Sequence, residues 1–177
     1  STLVRDVLVT GDGPAVSVSG PVLLSVSTFS GTDGTNTTGT GSGTRLYLGT
    51  LDPTVLGDQL TAALDGVREG SRVVLRAPVV DTSGARHTEI TVVDVLPTNA
   101  TGTERAPVEG MPPVTVAQDG TVSASVVGLA APTISRAETL VRGDGEQVTS
   151  TSRVVARTAL VSWSTGEVIS STWGQSV

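Results

Sequence analysis

Residues 52–76 read DPTVLGDQLTAALDGVREGSRVVLR, and this stretch decides the fold class. Asp52 stands at a helix N-cap position, and Pro53 follows at the first helical position, where its missing N–H costs nothing. The pattern predicts a helix over residues 53–67 and a strand over residues 72–76. Three leucines spaced four residues apart form the apolar stripe of the helix: Leu56, Leu60 and Leu64.

Runs rich in Val, Leu and Thr predict further strands on both sides of this helix. They lie at residues 3–10, 21–29, 45–49 and 87–96. Residues 30–43, SGTDGTNTTGTGSG, have almost nothing to bury and are expected to form a mobile loop. Residues 81–86 predict a short polar turn. Because the strands surround one helix without βαβ alternation, we expect an α+β domain with an antiparallel sheet.

The chain also contains a long internal repeat. Residues 7–16 read VLVTGDGPAV, and residues 139–148 read TLVRGDGEQV, with six of the ten positions identical. The register continues without a gap to Gly34 and Gly166. A repeat this long indicates two copies of one domain rather than a solenoid. We therefore expect three segments: a first copy at 1–97, a proline-rich linker at 98–134, and the N-terminal strands of a second, truncated copy at 135–177.

Shorter strands are predicted in the second half of the chain. They lie at residues 114–116, 121–127, 134–141 and 153–162. A sheet that holds only the first strands of a domain leaves open edges, which attract partner strands. We therefore expect residues 135–177 to pack against the first copy or to pair with another chain.

Composition excludes several classes of function. Hydrophobic residues make up 37% of the chain but aromatic residues only 2%, so the core must consist of Val, Leu and Ala. A net charge of −6 without an arginine cluster argues against nucleic-acid binding. No apolar stretch approaches 18 residues, so we expect no transmembrane segment. With no cysteine and one histidine, we also expect no metal site and no cofactor.

The same composition indicates the source of the protein. All 11 basic residues are arginine, which is typical of GC-rich bacterial genomes. A cysteine-free chain rich in Thr, Ser and Gly that begins at Ser1 without Met fits an exported protein whose signal peptide has been removed. We expect a bacterial protein that is secreted or lipid-anchored at the cell surface.

Several motifs resemble those of the FKBP-type peptidyl-prolyl cis-trans isomerases, especially the tandem-domain exported proteins of GC-rich bacteria. Residues 56–60 (LGDQL), 63–78 (ALDGVREGSRVVLRAP) and 88–96 (TEITVVDVL) are similar to the helix, helix exit and last strand of that family. Residues 163–173, WSTGEVISSTW, look like the family's W-D-T-G-E-V-F-D-S-S-W. The resemblance implies an FKBP-like antiparallel sheet wrapped around one short helix, followed by the start of a second copy.

The resemblance also implies a binding pocket. In this family a bowl of aromatic side chains holds a proline ring and lowers the barrier to rotation about the preceding peptide bond, without nucleophile, metal or cofactor. The matching positions have lost these side chains here. In the first copy they are Val26 (Tyr in the family), Thr37 and Thr38 (Phe-Asp), Leu56 and Gly57 (Val-Ile), Leu60 (Trp) and Thr91 (Phe). In the second copy they are Thr158 (Tyr), Ile169 (Phe) and Ser170 (Asp). The family's flap is shortened to residues 79–86.

Three functional hypotheses follow from the resemblance. The first is an FKBP-type protein with weak or absent isomerase activity that acts as a protein-binding or chaperone-like module. The second is an active prolyl isomerase whose activity lies in a complete second domain or a remodelled pocket. The third is a purely structural exported domain. For the first two, the expected partner is a proline-containing peptide or protein client.

Overall fold

The computed structural model describes residues 3–80, 84–117, 121–152 and 154–173. The chain divides into two compact units, Ser1–Thr98 and Asn99–Gln175. The elements of the first unit are β1 (Val4–Val9), β2 (Pro21–Ser30), β3 (Arg45–Thr50), α1 (Pro53–Leu56), α2 (Asp58–Leu64), β4 (Arg72–Val80) and β5 (Arg86–Leu96). The five strands form one antiparallel sheet in the order β1-β4-β5-β2-β3. The expected α+β class with an antiparallel sheet is therefore confirmed.

One face of this sheet carries the core. Alternate residues of the three central strands point to this face, where their side chains are buried together with Leu64 of α2. Each fully buried Val or Leu contributes about 1.5–3 kcal/mol relative to an exposed one. The core residues are all aliphatic, as the composition predicted: Val16, Val22, Leu24, Leu51, Ala63, Leu64, Val67, Val73, Leu75, Val93 and Val95.

The prediction of a single helix over residues 53–67 is wrong. Gly57 adopts φ 81° and ψ 151°, which ends α1 after one turn and starts α2 in a new direction. Only glycine adopts this conformation without strain. The predicted N-cap is confirmed, because the Asp52 carboxylate accepts a hydrogen bond of 2.8 Å from the backbone N–H of Thr54. The helical region ends at Leu64 because Gly66 turns at φ 76° and donates its N–H to the Val16 carbonyl.

The loop over residues 30–43, which we expected to have nothing to bury, folds back onto β2. Phe29 and Asn36 form an isolated antiparallel bridge. The Thr38 side chain is buried, and its hydroxyl accepts a hydrogen bond of 2.9 Å from the backbone N–H of Thr28. The Asn36 amide donates to the Gly43 carbonyl at 2.8 Å. Threonine and asparagine side chains thus supply the polar contacts that order this loop, an outcome that its hydropathy alone concealed.

The other predicted strands of the first unit are confirmed, with small changes at their ends. The largest change is in β4, which continues past Arg76 to Val80, where it pairs with Arg86 at the start of β5. The predicted turn at 81–86 is therefore one residue shorter, because Arg86 belongs to β5, and residues 81–83 lie outside the described residues.

The second unit consists of three separate two-stranded pairs. Its strands are β6 (Thr103–Glu104), β7 (Val114–Val116), β8 (Val122–Ala124), β9 (Val141–Arg142), β10 (Ala159–Val161) and β11 (Val168–Ser171). The pairs are β6 with β9, β7 with β8, and β10 with β11, all antiparallel. Among its described residues only Val126 is a buried hydrophobic side chain. This unit is therefore held by hairpin hydrogen bonds more than by a core.

The strands predicted at 134–141 and 153–162 are mostly wrong. Only Val141–Arg142 and Ala159–Val161 are extended and paired, and Arg153 lies outside the described residues. In the first unit, β2 is flanked by β3 and β5, whereas no strand flanks residues 154–158 in the described part of the second unit. A β-rich sequence without a neighbouring strand cannot complete a ladder. The strands predicted at 114–116 and within 121–127 are confirmed as β7 and β8.

The turn after β2 recurs 132 residues later with the same hydrogen bonds. The Ser30 N–H donates to Thr35 O at 2.9 Å, and the Ser162 N–H donates to Glu167 O at 2.8 Å. Gly34 and Gly166 each donate to the carbonyl of that serine, at 2.9 and 2.8 Å, with φ of 74° and 73°. Burial differs between the repeats: Val22 is fully buried, whereas its counterpart Val154 is 61% exposed.

A close backbone approach joins the end of β1 to the start of β4. A Cβ added to Gly11 would lie 2.0 Å from the Glu69 carbonyl oxygen, which is far inside van der Waals contact. The Gly11 N–H donates to the Ser71 hydroxyl at 2.9 Å. The repeat counterpart of Gly11 is Gly143, where an added Cβ would lie 3.8 Å from the nearest atom, the Thr101 carbonyl oxygen.

Substitution of these two glycines is expected to have opposite outcomes. Gly11→Ala forces β1 away from β4 and lowers the free energy of unfolding by about 1–3 kcal/mol, the usual cost of overpacking. Gly143→Ala, at an uncrowded site, is expected to stay within about 0.5 kcal/mol of the wild type. Urea denaturation followed by circular dichroism measures both. Equal effects of the two variants would contradict the described packing.

Candidate functional site

Three of the positions that match the family's pocket lie together on the core side of the sheet. Val26 of β2, Leu56 at the end of α1 and Leu60 of α2 are each half-buried and pack against the hydrophobic core. They form an apolar floor at the surface of the core. These aliphatic side chains extend the core to the surface, at positions where the family that the sequence resembles has aromatic side chains.

Threonines border this floor on β2, β5 and the loop after β2. On β5, Thr91 pairs with Thr28, and both lie on the core-facing side of the sheet. The Thr37 hydroxyl donates to the Thr28 hydroxyl at 3.2 Å, and the Thr37 N–H donates to the Thr28 carbonyl at 2.8 Å. The buried Thr38 hydroxyl also donates to the Gly43 carbonyl at 3.1 Å. The structure thus brings Thr37, Thr38 and Thr91 together through Thr28, which the sequence did not single out.

Gly57 contributes backbone rather than side chain to the site. A Cβ added there would meet no atom within 4 Å, so the space beside it is open. Residues 79–86, which match the family's flap, are described only in part: Val80 at the end of β4 pairs with Arg86 at the start of β5.

Sequence reasoning missed one aromatic residue. Tyr47 of β3 lies opposite Leu24, on the core-facing side of the sheet, and packs against the core beside the apolar floor. Its hydroxyl donates to the Thr50 carbonyl at 2.8 Å. The sequence could have indicated this residue, because Tyr47 is the single tyrosine of an aromatic-poor chain and lies in the middle of the strand predicted at residues 45–49.

The assembled groups determine what the site can do chemically. The hydroxyls of Thr37 and Thr38 are hydrogen-bonded to protein oxygens. The positions that match the family's pocket include no carboxylate, imidazole or amine, so they offer no general acid or base. In the described part of the chain, no three metal-ligating side chains cluster. The arrangement can therefore hold an apolar ring but carries no group for bond-making chemistry.

The positions in residues 135–177 that match the family's pocket form no comparable floor in the described structure. Thr158, Ile169 and Ser170 lie on or beside the β10–β11 hairpin, and all three are exposed, Ile169 by 64%. The hairpin is closed beside Thr158, whose N–H donates to the Thr172 hydroxyl at 2.8 Å.

Neither of the helices in the described part of the chain has the length and hydropathy that a membrane span requires.

The residue that follows Leu60 has an unsatisfied polar group. The Thr61 side chain is buried in α2, and its hydroxyl has no hydrogen-bond partner among the described residues. A buried hydroxyl without a partner costs free energy because it has lost its hydrogen bonds to water. The helix beneath the site is thus less stable than its packing allows.

Replacement of Thr61 by an apolar side chain of the same shape is expected to stabilise the first unit. Thr61→Val should raise the free energy of unfolding by about 1–3 kcal/mol, measured by urea denaturation. Thr54→Val is the matched control, because the Thr54 hydroxyl donates to Asp52 at 2.7 Å and its loss should be destabilising. A destabilising Thr61→Val substitution would show that the hydroxyl has a partner.

The N-cap carboxylate predicts a pH dependence of stability. The pKa of Asp52 lies below its ordinary value of 3.8, because the Thr54 hydroxyl and then the Thr54 N–H donate to the charged form. A lowered carboxyl pKa stabilises the fold above the unfolded value, and this stability is lost as pH falls through the folded value. Asp52→Asn should therefore be less stable than the wild type at pH 7, and the difference should vanish well below pH 3.8. Thermal unfolding at both pH values measures this. A difference that persists at low pH would contradict it.

Comparison with known proteins finds similarity only at the level of solved structures. No protein-family model and no curated protein sequence matches the chain. The protein assigned as the peptidyl prolyl cis-trans isomerase FKBP12 of Mycobacterium tuberculosis is 22% identical, with a TM-score of 0.41; the match covers 54% of this chain and 82% of that one. FkpA from Escherichia coli is 19% identical, with a TM-score of 0.39, over 54% of this chain and 47% of that one. The first of these two structures bears the name of a peptidyl prolyl cis-trans isomerase, the activity of the family that the sequence motifs of this chain resemble.

Proposed function

We propose that the protein is an FKBP-type protein that binds a proline-containing client and has weak or no isomerase activity. The observation that carries this proposal is the replacement of the pocket's aromatic positions by aliphatic and threonine side chains. Val26, Leu56 and Leu60 pack on the core, and Thr37 and Thr91 stand at the border.

The physical reason is the size of the barrier. Rotation about a peptide bond costs about 18–20 kcal/mol, and an enzyme must stabilise the twisted amide more than the planar one. Such catalysis depends on an enclosed, water-free environment for the amide. An open floor of small side chains, bordered by hydroxyls that are already hydrogen-bonded, provides contact area for a proline ring but little enclosure.

Binding without catalysis remains compatible with this floor. Val26, Leu56, Leu60 and Tyr47 are only half-buried, so their outer surfaces are accessible to a ligand. Gly57 leaves room beside them. Burial of a proline ring here yields hydrophobic free energy in proportion to the apolar area covered, about 25 cal/mol per Å². The expected client is therefore an exposed proline-containing segment, held with low affinity.

We also propose that residues 135–177 are the first strands of a second FKBP-like copy, joined to the first by residues 98–134. The recurrence of the Ser30 turn at Ser162, with the same two hydrogen bonds, supports this assignment. Export from a bacterial cell is part of the same proposal, supported by the cysteine-free, lysine-free composition.

The isomerase assay tests the central proposal. The wild-type chain should accelerate cis-trans isomerisation of a prolyl tetrapeptide only weakly or not at all above the uncatalysed rate. The triple variant Val26→Tyr, Leu60→Trp, Thr91→Phe restores aromatic side chains and should accelerate it at least about tenfold, which corresponds to ~1.4 kcal/mol of transition-state stabilisation.

A matched variant controls for nonspecific effects of added aromatic surface. Val55→Trp places the same indole on α1 at a position that is 64% exposed, and it should give no acceleration. Circular dichroism confirms that each variant folds. Acceleration by the wild-type chain that equals that of the triple variant would overturn the proposal in favour of an active isomerase. A folded triple variant without activity would show that loss of the aromatic side chains is not the reason for inactivity.

A further inference from the structure

The edge strand β1 attaches to the sheet at a few specific positions. Gly11 and Gly13 are required by crowding, since their added Cβ atoms would lie 2.0 Å from the Glu69 carbonyl oxygen and 2.8 Å from the Glu69 Cβ. Val16 is buried in the core, at 5% exposure. The Asp6 carboxylate forms an ion pair of 2.6 Å with Arg76 of β4.

Every one of these positions is repeated 132 residues later. The counterparts of the two crowded glycines are Gly143 and Gly145, Val148 stands for Val16, and Glu138 stands for Asp6 with the same charge. Two neighbouring positions fit less well, because Arg136 replaces Val4, which lies opposite Arg76, and Ser135 replaces Leu3, which packs on the core.

The second segment is weakly engaged where it stands. Only Val141 and Arg142 are paired, opposite Glu104 and Thr103 of β6. Val141 pairs with Glu104, two positions after Gly102, and Val9 pairs with Arg72, two positions after Gly70. The two pairings therefore have the same register relative to these glycines. The β6 strand thus pairs with two residues of this segment, whereas β4 pairs with five residues of β1.

One side chain that the first copy buries is exposed in this segment. Val148 is 63% exposed, whereas its counterpart Val16 is 5% exposed. At the position of Val16 on the first unit, Val148 would be covered by the core. The repeat therefore carries the glycines, the acidic position and the valine of the first copy, and in the described structure it leaves this valine exposed.

We propose that residues 136–148 exchange with residues 4–16 on β4 of a second copy of this chain. Each chain donates its second segment to the first unit of the other, and the displaced β1 takes the place of β9 beside β6. No strand is left without a partner, which makes such an exchange between identical copies inexpensive. The result is a dimer with isologous symmetry.

The partner is a second copy because only association gains extra free energy. Within one chain, the exchange replaces β1 by a segment that fits less well at Arg136 and Ser135. Between two chains, the same exchange forms two such pairings at once, and exposed side chains such as Ile134 at 69% and Val127 at 86% are available for burial between the chains. The dimer is expected to form at high protein concentration.

Disulfide trapping tests the exchange, and the chain is suited to it because it contains no cysteine. Asp6 pairs directly with Val74 of β4, so its counterpart Glu138 should take that place in the dimer. Chains that carry Val74→Cys and chains that carry Glu138→Cys, with tags of different mass, are mixed at high concentration and oxidised. The expected result is a disulfide-linked heterodimer. Asp6→Cys with Val74→Cys in one chain is the positive control and should give an internal disulfide.

A second substitution in the Glu138→Cys chain distinguishes disulfides that form through strand exchange from disulfides that form through random collision of two chains. Gly143→Ala is accommodated where the segment lies in the described structure. After the exchange, its Cβ would lie at the position of a Cβ added to Gly11, which is crowded by the Glu69 carbonyl oxygen. It should lower the heterodimer yield about tenfold. Glu146→Ala is the matched control, since its counterpart Pro14 is exposed, and it should leave the yield unchanged. Locking the resident pair with Glu104→Cys and Val141→Cys should also keep the chain monomeric in light scattering until the disulfide is reduced.

Three results would overturn the proposal. The first is the absence of heterodimer when the positive control oxidises. The second is a heterodimer yield that Gly143→Ala leaves unchanged. The third is a crosslink between positions 74 and 138 that forms only within a single chain that carries both cysteine substitutions, because the exchange would then be internal.

Discussion

The packing of α2 on the five-stranded sheet is the interaction on which the first unit depends. Leu64 is fully buried among the valines and leucines of β2, β4 and β5, and no larger side chain takes part in this core. The helix reaches this position because the Asp52 cap fixes the start of α1 and Gly57 redirects the chain between the helices. With few aromatic residues in the chain, close packing must be achieved by aliphatic side chains of similar size. The same constraint then extends to the candidate site, whose floor consists of residues from the same two helices and from β2.

The polarity of the site follows from the strands that form its border. Along the core-facing side of β2, the side chains change from Val22, Leu24 and Val26 to Thr28, and the change coincides with the loop that folds back onto the strand. The hydroxyls at this border are engaged with one another and with backbone carbonyls, so they stabilise the loop and do not activate a ligand. The threonines at this border thus supply hydrogen bonds that hold the loop against β2.

Periodicity and capping patterns predicted the fold where local rules decide it. The Asp52 cap, the positions of the five strands and the aliphatic core follow from such rules. The same patterns gave wrong predictions where a contact between residues distant in the sequence determines the local structure. Gly57 breaks the helix although the leucine spacing continues through it, and Thr38 is buried by hydrogen bonds to β2 that hydropathy does not register. The positions taken from the family resemblance do not include Tyr47 or Thr28, because the placement of these two residues arises from sheet pairing rather than from a motif.

An internal repeat makes strand pairing degenerate, and this limits how uniquely the sequence specifies its sheet. Two segments with the same glycines and an acidic residue at the same position compete for one strand edge, and the differences between them include Leu3 and Val4 against Ser135 and Arg136. Those two residues are peripheral to the shared steric requirement at Glu69, so they bias the choice without excluding the alternative. Within one chain, β1 also gains from the high effective concentration that its connection to the first unit provides. The native pairing is therefore favoured in the isolated chain by connectivity together with two peripheral residues, and crowding of identical chains removes the first of these advantages.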